Sequence, residues 1–463
     1  MPFCIFDATA GRVHVDMTGH NQSYWKQGDK ELRIMPKRYQ RREQSMLKKS
    51  LAALAISAAL WGSSAHAETI SVFCSPTEFE LCTNVANAWK EKTGNEAKIN
   101  KMPALLDDAI PIYQQLLAAK SKDVDVLFLD VIWLGMFKSN LLDLKTMIPQ
   151  ADQDKHFAST LNAAKLDGNL IAMPAYMDVG LMFYRKDLLE KYGKAAPKTW
   201  DELAATAKEI QDKERAAGSA DMWGYAWQAK SYEGLTCDAI ELVASNGGGT
   251  IISDDGKVTI DNPQAAAALE KAKGWIGSIS PEGVLNYDEE QSRAVFESGN
   301  AVFHRNWPYV WGTSHEKGSN VVDKVGVMPL PVGKEGEKSS GCLGPMYYGV
   351  NKYSAKPEVA ADFVNFITGP DMQKMRALKA ALNPSIQALY SDPEVLEKIP
   401  FLKDNQQAFA DSAVRPSGYT GTSYNRVSQA FYRSVHDMLS GGAEVKSSLT
   451  SLAGRLEKLK ESR

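Results

Sequence analysis

The segment 46–67, MLKKSLAALAISAALWGSSAHA, limits what this chain can be more than any other feature. It starts near a pair of lysines, continues through a short apolar run, and ends at a small-x-small triplet, 65–67. This order predicts a cleavable secretory signal peptide, because the apolar run is only about half as long as a helix that spans a bilayer. The mature protein is therefore expected to start at Glu68 and to work in the periplasm.

Residues 1–45 precede this signal. They are polar, contain eight Lys/Arg, and show no sustained periodicity. One interpretation is a basic arm that binds nucleic acid. We favour a non-native or disordered N-terminal extension that results from placing the start codon too early, because signal peptides normally lie at the N-terminus.

Length and charge narrow the class of the mature chain. It has 396 residues and a net charge of −8, because residues 1–67 contribute +5 to the −3 of the whole sequence. An acidic chain has no electrostatic basis for binding nucleic acid. No later apolar run is long enough to cross a membrane, and a chain of this length usually divides into two lobes or domains.

Four cysteines follow the signal: Cys74, Cys82, Cys237 and Cys342. An even number in an exported protein is typical of disulfides, and four cysteines allow three connectivities. Because Cys74 and Cys82 are close in sequence, we favour Cys74–Cys82 together with Cys237–Cys342. Four buried free thiols remain the alternative, since spacing alone does not determine geometry.

Strand and helix signals alternate along the mature chain, which is typical of an α/β protein. The runs 69–74 and 124–129 suit buried strands, and apolar residues recur at helical spacing over 81–89 between them. Further on, Thr199 and Glu202 form a capping box that predicts the start of another helix. No flexible linker separates two lobes, so we expect strands that cross back and forth to join them.

Common catalytic signatures are missing from the sequence. It contains no GxxxxGK[ST], GxSxG or HExxH motif. No two of the four histidines after residue 67 are three or four residues apart, the spacing that would place them on one face of a helix. We therefore expect no cofactor, no zinc or haem site, and no histidine-based triad. An enzyme with this sequence would depend on carboxylates alone.

Some carboxylates and aromatic rings occur at positions typical of a ligand-binding site, namely strand ends and an irregular segment. Asp130 ends the strand-like run VDVLFLD and Asp178 follows Tyr176, whereas Trp307 and Tyr309 flank a proline that breaks regular structure. Sugars place C–H faces on flat rings and donate hydroxyls to carboxylates, so these residues indicate a carbohydrate ligand. Simpler roles are also open: Asp130 suits a helix N-cap, and Asp178 suits a hinge support.

Several blocks of the chain, taken in order, resemble one family over essentially all of 68–463. They are DVLFLDVIWLG (125–135), IAMPAYMDVGLMFYRKDLLEKYG (171–193), PKTWDEL (197–203), GYAWQAKSYEGLTCD (224–238), FHRNWPYVWG (303–312) and KVGVMPLP (324–331). The chain resembles extracellular solute-binding proteins that deliver sugars to ABC importers, in the branch of the maltose-binding and trehalose/maltose-binding proteins.

The resemblance implies a two-lobed α/β periplasmic-binding-protein fold (type II), with hinge strands between the lobes and a ligand cleft at their interface. The crossings are expected at 176–180 and 325–330. The lobes implied are 68–177 with 331–378 for the N-terminal lobe, and 178–330 with 379–463 for the C-terminal lobe.

It also implies the ligand-binding residues. They are the acids Glu78, Asp130 and Asp178, the rings Tyr176, Trp307 and Tyr309, and Met346 and Arg415. Met346 stands where trehalose/maltose-binding relatives have a stacking tryptophan, which puts those two sugars in doubt. Arg415 has an alternative role as the partner of a surface carboxylate.

The function implied is non-catalytic capture of a small carbohydrate, such as an α-glucoside disaccharide, by a monomer. The protein would deliver it to the transmembrane subunits of an ABC permease and their ATPase. Two alternatives stay open. One is a secreted glycoside hydrolase that uses paired carboxylates. The other is the same fold with a polyamine, metal chelate or sugar phosphate as its ligand.

Overall fold

The computed structural model describes residues 67–103, 105–253, 255–405, 408 and 411–461. The predicted N-terminal extension and, apart from Ala67, the predicted signal peptide lie outside the described residues. Within the described ranges, none of the helices combines the length and the apolar character needed to cross a membrane.

The strands form two main sheets and one small hairpin. They are β1 (Thr69–Cys74), β2 (Glu96–Lys101), β3 (Val126–Asp130), β4 (Lys165–Leu166), β5 (Asn169–Leu170), β6 (Met173–Tyr176), β7 (Leu181–Arg185), β8 (Trp223–Ala226), β9 (Ala301–Asn306), β10 (Val325–Met328) and β11 (Met346–Val350). The first sheet has the order β2-β1-β3-β11-β6 and the second has β10-β7-β9-β8, while β4 pairs with β5. In the first sheet β11 runs antiparallel to both of its neighbours.

Helices surround these sheets. They are α1 (Phe79–Thr93), α2 (Leu106–Ala118), α3 (Val131–Phe137), α4 (Gln150–Gln153), α5 (Ala158–Ala163), α6 (Lys186–Lys191), α7 (Trp200–Ala216), α8 (Glu233–Ser245), α9 (Pro263–Trp275), α10 (Glu289–Glu297), α11 (Val310–Ser314), α12 (Pro357–Thr368), α13 (Pro370–Ala380), α14 (Pro393–Lys398), α15 (Phe401–Asp404), α16 (Ser417–Thr420), α17 (Tyr424–Leu439) and α18 (Val445–Glu461). Single 3-10 turns occur at Pro76–Glu78, Lys138–Asn140, Glu282–Asn286, Gln387–Ser391 and Gly421–Ser423.

Each sheet has its own apolar core, which explains the near-continuous apolar runs in its strands. Every residue of β3 is buried, because helices cover both faces of the first sheet. In this core Trp89 of α1 meets Phe363 of α12 edge to face, with 5.0 Å between ring centroids. In the second core Trp200 is the first residue of α7, directly after the N-cap Thr199, and the predicted Thr199–Glu202 capping box is present.

The chain crosses between the two sheets in neighbouring segments. Gly180 N donates to Cys342 O over 3.1 Å, and Gly344 N donates to Asp178 O over 2.9 Å, so the segments 177–180 and 341–344 lie side by side. The prediction that the second crossing is 325–330 was wrong. Those residues provide β10, which pairs with β7 at the edge of the second sheet. The residue ranges of the lobes stay a prediction.

The two cysteine pairs have different outcomes. The predicted disulfide Cys74–Cys82 is present. The predicted Cys237–Cys342 bond is not, and both residues are buried free thiols. Their Sγ atoms lie 2.9 Å apart, in hydrogen-bonding contact, whereas a covalent S–S bond measures about 2.05 Å. Cys342 lies in the second crossing and Cys237 lies in α8. The crossing packs on this helix, so the two sulfurs are in contact without a covalent bond.

Candidate functional site

The site is built at the end of the first sheet where β3 and β6 finish and β11 begins. Asp130 is the last residue of β3, Tyr176 is the last of β6, and Met346 is the first of β11. Met346 pairs with both Asp130 and Tyr176, because β11 lies between those strands and runs antiparallel to them. Three residues predicted from separate parts of the sequence are therefore immediate neighbours.

Three buried acids share this region. Glu78 lies on the turn after β1, and Asp178 follows β6 in the first crossing. Burial raises the pKa of the Asp178 carboxyl well above its ordinary value, and the charges of Glu78 and Asp130 raise it further. Burial likewise raises the pKa of Tyr176, with added repulsion from Glu78 and Asp178. The acids are thus within electrostatic reach of one another.

Two buried arginines counter part of this negative charge. Arg415 Nη2 lies 3.0 Å from Asp130 Oδ1, and Arg415 Nη1 lies 3.1 Å from Glu233 Oε1. Arg376 Nε lies 3.2 Å from Glu78 Oε2. The alternative interpretation of Arg415, a surface ion pair, was wrong, because its side chain is only 3% exposed.

The alternative role of Asp130 is also present. Its Oδ1 accepts a hydrogen bond of 2.9 Å from Ile132 N and so caps α3. Asp178 behaves differently: its main-chain oxygen supports the second crossing, while its Oδ1 has no hydrogen-bond partner among the described residues. Oε1 of Glu78 is likewise buried without a partner there. The unpaired oxygens are acceptors that a hydroxylated ligand could use.

Two of the predicted aromatic residues, Trp307 and Tyr309, follow the end of β9 in the second sheet. Trp307 follows β9, and its Nε1 lies 3.4 Å from Glu289 Oε1. The Arg305 guanidinium covers its ring at 4.5 Å, and Gly344 approaches so closely that a Cβ there would lie 3.1 Å from the ring. The Tyr309 hydroxyl donates to Glu290 over 2.7 Å. Trp307 therefore lies beside the crossing segments, with one ring face already occupied.

One contact between the two halves was missed from the sequence. Glu233 N, at the start of α8, lies 3.3 Å from Asp107 Oδ2 on α2. Burial raises the pKa of Glu233 to about 7, while Arg415 and hydrogen bonds from Ser428 and Tyr424 oppose this shift. Glu233 belongs to the block 224–238, which resembled the family but gave no clue to its partner. Asp107 lies in the first turn of α2, where acidic residues are favoured for local reasons and do not indicate a distant partner.

In the ranges that the structure describes, there is no group of three or more His, Cys, Asp or Glu side chains that could hold a metal ion. The arrangement offers buried carboxylate acceptors, arginine donors and nearby rings. Of the predicted residues, Asp130, Tyr176 and Met346 meet at the end of the first sheet, with Glu78 and Asp178 in electrostatic contact, Arg415 bound to Asp130 and Trp307 beside Gly344. Tyr309 contacts Glu290 of α10. Whether each touches a ligand stays a prediction.

Two α/β lobes joined by crossing segments, with acids buried at the junction, define a ligand-binding protein of the two-lobed type II class. The family model of bacterial extracellular solute-binding proteins matches residues 83–374. The chain belongs to this family.

Similar proteins support the same assignment. A probable ABC transporter-binding protein of Deinococcus radiodurans is 42% identical over 418 residues, which cover 89% of this chain and 99% of that protein. Maltose-bound MalE3 from T. maritima superposes with a TM-score of 0.79 at 35% identity, over 85% of this chain and 100% of that one. A solute-binding protein from Agrobacterium radiobacter K84, in complex with ribitol, has a TM-score of 0.75 at 22% identity, over 84% and 98% of the chains, and shows a shared fold.

These findings confirm the predicted family and the type II two-lobed fold. They also make the protein a solute-binding component of an ABC transporter, which implies a solute ligand and permease partners. The family and its relatives are transporter binding proteins rather than enzymes. An extracellular family implies a periplasmic or extracellular location.

Proposed function

We propose that this protein captures a small carbohydrate, in the first place an α-glucoside disaccharide, in the cleft between its lobes and delivers it to a membrane permease. The convergence of Glu78, Asp130 and Asp178 with Tyr176 carries the proposal, because the carboxyl oxygens of these acids can accept hydrogen bonds from sugar hydroxyls. MalE3, 35% identical to this chain, is maltose-bound and supports the same ligand class.

Ligand selectivity is expected to depend on Met346. Met346 begins β11 between Asp130 and Tyr176, and its side chain is flexible and polarisable rather than a flat ring. A thioether adapts to sugars of different shape but gives less stacking area. Because MalE3 is maltose-bound, we still expect maltose to bind, but more weakly than in a site with a stacking tryptophan, and we expect other mono- and disaccharides or sugar alcohols to compete with it.

The mechanism is closure about the crossing segments. A ligand that touches acids beside the first sheet and rings beside the second stabilises the closed state more than the open one. Asp107 and Glu233 already bring the two halves into contact. Closure then presents both lobes to the permease, where the sugar is released.

Titration with sugars tests this proposal. Maltose, trehalose, glucose and ribitol are added separately to purified protein, and binding is measured by calorimetry and melting temperature. We expect at least one sugar to bind with a dissociation constant in the micromolar range or below and to raise the melting temperature. A panel without any heat or shift rejects the carbohydrate ligand. A polyamine, a metal chelate and a sugar phosphate in the same assays test the other ligand classes.

Two tryptophans provide a matched pair for the fluorescence readout. Trp307 and Trp223 are both half-buried and both lie under an arginine, at 4.5 and 4.3 Å, but Trp223 starts β8 at the far end of the second sheet. We expect the sugar-dependent fluorescence change to disappear in W307F and to persist in W223F. The same change in both variants would place the ligand away from Trp307.

Catalysis is tested on the same material. Burial raises the pKa of Asp178, and a general acid of a glycoside hydrolase needs such a shift. Capture without catalysis predicts that maltose and longer oligosaccharides incubated with the protein yield no new reducing ends. Hydrolysis that is lost in D178N would instead support the hydrolase alternative.

Export, assembly and partners complete the proposal. We infer that the signal 46–67 is removed on export to the periplasm, that the protein acts as a monomer, and that it binds no nucleic acid. N-terminal sequencing of the exported protein is expected to show that the mature chain begins at Glu68. Gel filtration is expected to give the mass of one chain.

A further inference from the structure

A third segment, 381–386, passes the site directly after α13. Asn383 O accepts a hydrogen bond of 2.8 Å from Met177 N, and Met177 separates Tyr176 from Asp178. Ser385 Oγ lies 3.3 Å from Pro174 O, so the segment runs alongside β6. The main chain of Asn383 is therefore next to the first crossing, at the level of the buried acids.

The side chain of Asn383 is buried and makes no hydrogen bond with the described residues. It is 0% exposed, yet neither its Oδ1 nor its Nδ2 has a hydrogen-bond partner among the described residues. An amide group offers two donors and two acceptor positions, and leaving them unpaired inside a protein destabilises the fold. A buried asparagine without a structural bond therefore requires an explanation.

Asn351 shows what a structural asparagine looks like in this protein. It is also 0% exposed, but its Nδ2 donates to Ser121 O over 2.9 Å and to Val124 O over 2.8 Å. Its Oδ1 accepts from Tyr353 N over 3.1 Å. It lies directly after β11, at the opposite end of that strand from Met346. The two asparagines are thus matched in burial and differ in their hydrogen bonds.

The neighbours of Asn383 connect it to both halves of the site. Asp178, one residue beyond Met177, also has an unpaired buried oxygen. On the other side Gly312 of α11, the helix that follows Tyr309, lies close to the start of the segment. A Cβ on Gly312 would be 3.2 Å from Ala380 O. The segment therefore lies between the crossing that carries Asp178 and the helix that follows Tyr309.

We propose that Asn383 is a further ligand-binding residue, whose amide both donates to and accepts from hydroxyl groups of the bound sugar. This inference rests on the proposed capture of a carbohydrate. An ionised carboxylate only accepts hydrogen bonds, whereas an amide group donates as well as accepts at any pH. Binding satisfies polar atoms that are unpaired in the protein alone, so Asn383 reduces stability and increases affinity.

Substitution by leucine separates this role from a structural one. N383L keeps nearly the same size and removes the unpaired polar atoms. We expect the melting temperature of the unliganded protein to rise by roughly 2 °C and the dissociation constant for maltose to increase at least tenfold. N383A is expected to weaken maltose binding as well. The control N351L should lower the melting temperature and leave the maltose affinity within twofold of wild type.

The outcomes distinguish this inference from the proposed function. If wild type binds maltose and both Asn383 variants bind it equally well, Asn383 is not a ligand residue and the carbohydrate function stands. If N383L melts lower than wild type with unchanged affinity, the amide has a structural role and the inference fails. If wild type binds no sugar of the panel, the proposed function fails, and this inference with it.

Discussion

Arg415 and Asp130 form a buried ion pair, with 3.0 Å between Nη2 and Oδ1 and both side chains no more than 5% exposed. The same guanidinium also holds Glu233 at 3.1 Å. One residue thus ties the end of the first sheet to the start of α8 in the other half.

Removal of this arginine is expected to destabilise the protein strongly. R415M leaves the Asp130 carboxylate buried without its counter-charge, and breaking such a pair costs about 3–5 kcal/mol. Urea unfolding at pH 7 measures the loss. R433M, at an exposed position of α17, is the control and should stay within about 0.5 kcal/mol of wild type. An R415M variant as stable as wild type would contradict a stabilising ion pair between Arg415 and Asp130.

Glu233 makes stability depend on pH. Burial raises its pKa to about 7 from 4.5, so the folded chain keeps a proton that the unfolded chain releases. The free energy of unfolding therefore falls as pH rises from about 4.5 to about 7, by roughly 3 kcal/mol at most. Asp178, whose pKa burial also raises, contributes in the same direction at its own titration.

E233Q is expected to lose this part of the pH dependence. Unfolding by urea is measured at pH 5, 6 and 7, and the slope of stability against pH should be shallower in E233Q than in wild type. The exposed Glu270 of α9 provides the control, since E270Q should keep the wild-type slope. Equal slopes in E233Q and wild type would contradict a protonated Glu233 in the fold.

Local signals explain the parts of the fold that were predicted well. The run 69–74 became β1 with the same bounds, and Thr199 and Glu202 form the predicted cap, because each signal lies within a few residues. The predicted strand 124–129 is observed as Val126–Asp130, since pairing with β11 extends it to Asp130. The wrong prediction for 325–330 has a similar cause. A run of strand-forming residues does not show whether it passes from one lobe to the other or forms the edge of a sheet.

Contacts between distant residues explain what the sequence did not reveal about the site. The acids were recognised by resemblance, but several contacts that hold the site together were not. Arg376 is 298 residues from Glu78, and Glu233 is 126 residues from Asp107. No local pattern marks such pairs. Asn383 was missed for the same reason, since only the folded chain shows its amide buried and unpaired.

The cysteine pair of the second crossing gives a prediction about reactive thiols. Cys237 and Cys342 are buried, and burial raises the pKa of the Cys237 thiol well above its ordinary value. In the chain from Glu68 onward, a thiol reagent without reductant should find no reactive group in the native state. It should find two after unfolding, and one in C342S. No thiols after unfolding would mean that the pair is bonded.

Gly341 of the second crossing lies very close to Gly180 of the first. A Cβ on Gly341 would lie 2.4 Å from Gly180 O and 2.7 Å from Val179 Cγ2, and main-chain atoms have little room to move. G341A is therefore expected to separate the two crossings and to lower stability by about 1–3 kcal/mol. Maltose binding should weaken as well, because Asp178 directly precedes Val179 in the displaced crossing.

A second glycine supplies the control for this substitution. Gly274, in α9, has nothing within 4 Å of its Cβ position. Alanine there should be neutral or stabilise the helix by up to about 1 kcal/mol, with maltose affinity unchanged. Urea unfolding and calorimetry measure both quantities on the same samples. If G341A matched G274A in stability and affinity, the two crossings would not need their close contact, and closure would have to hinge elsewhere in the chain.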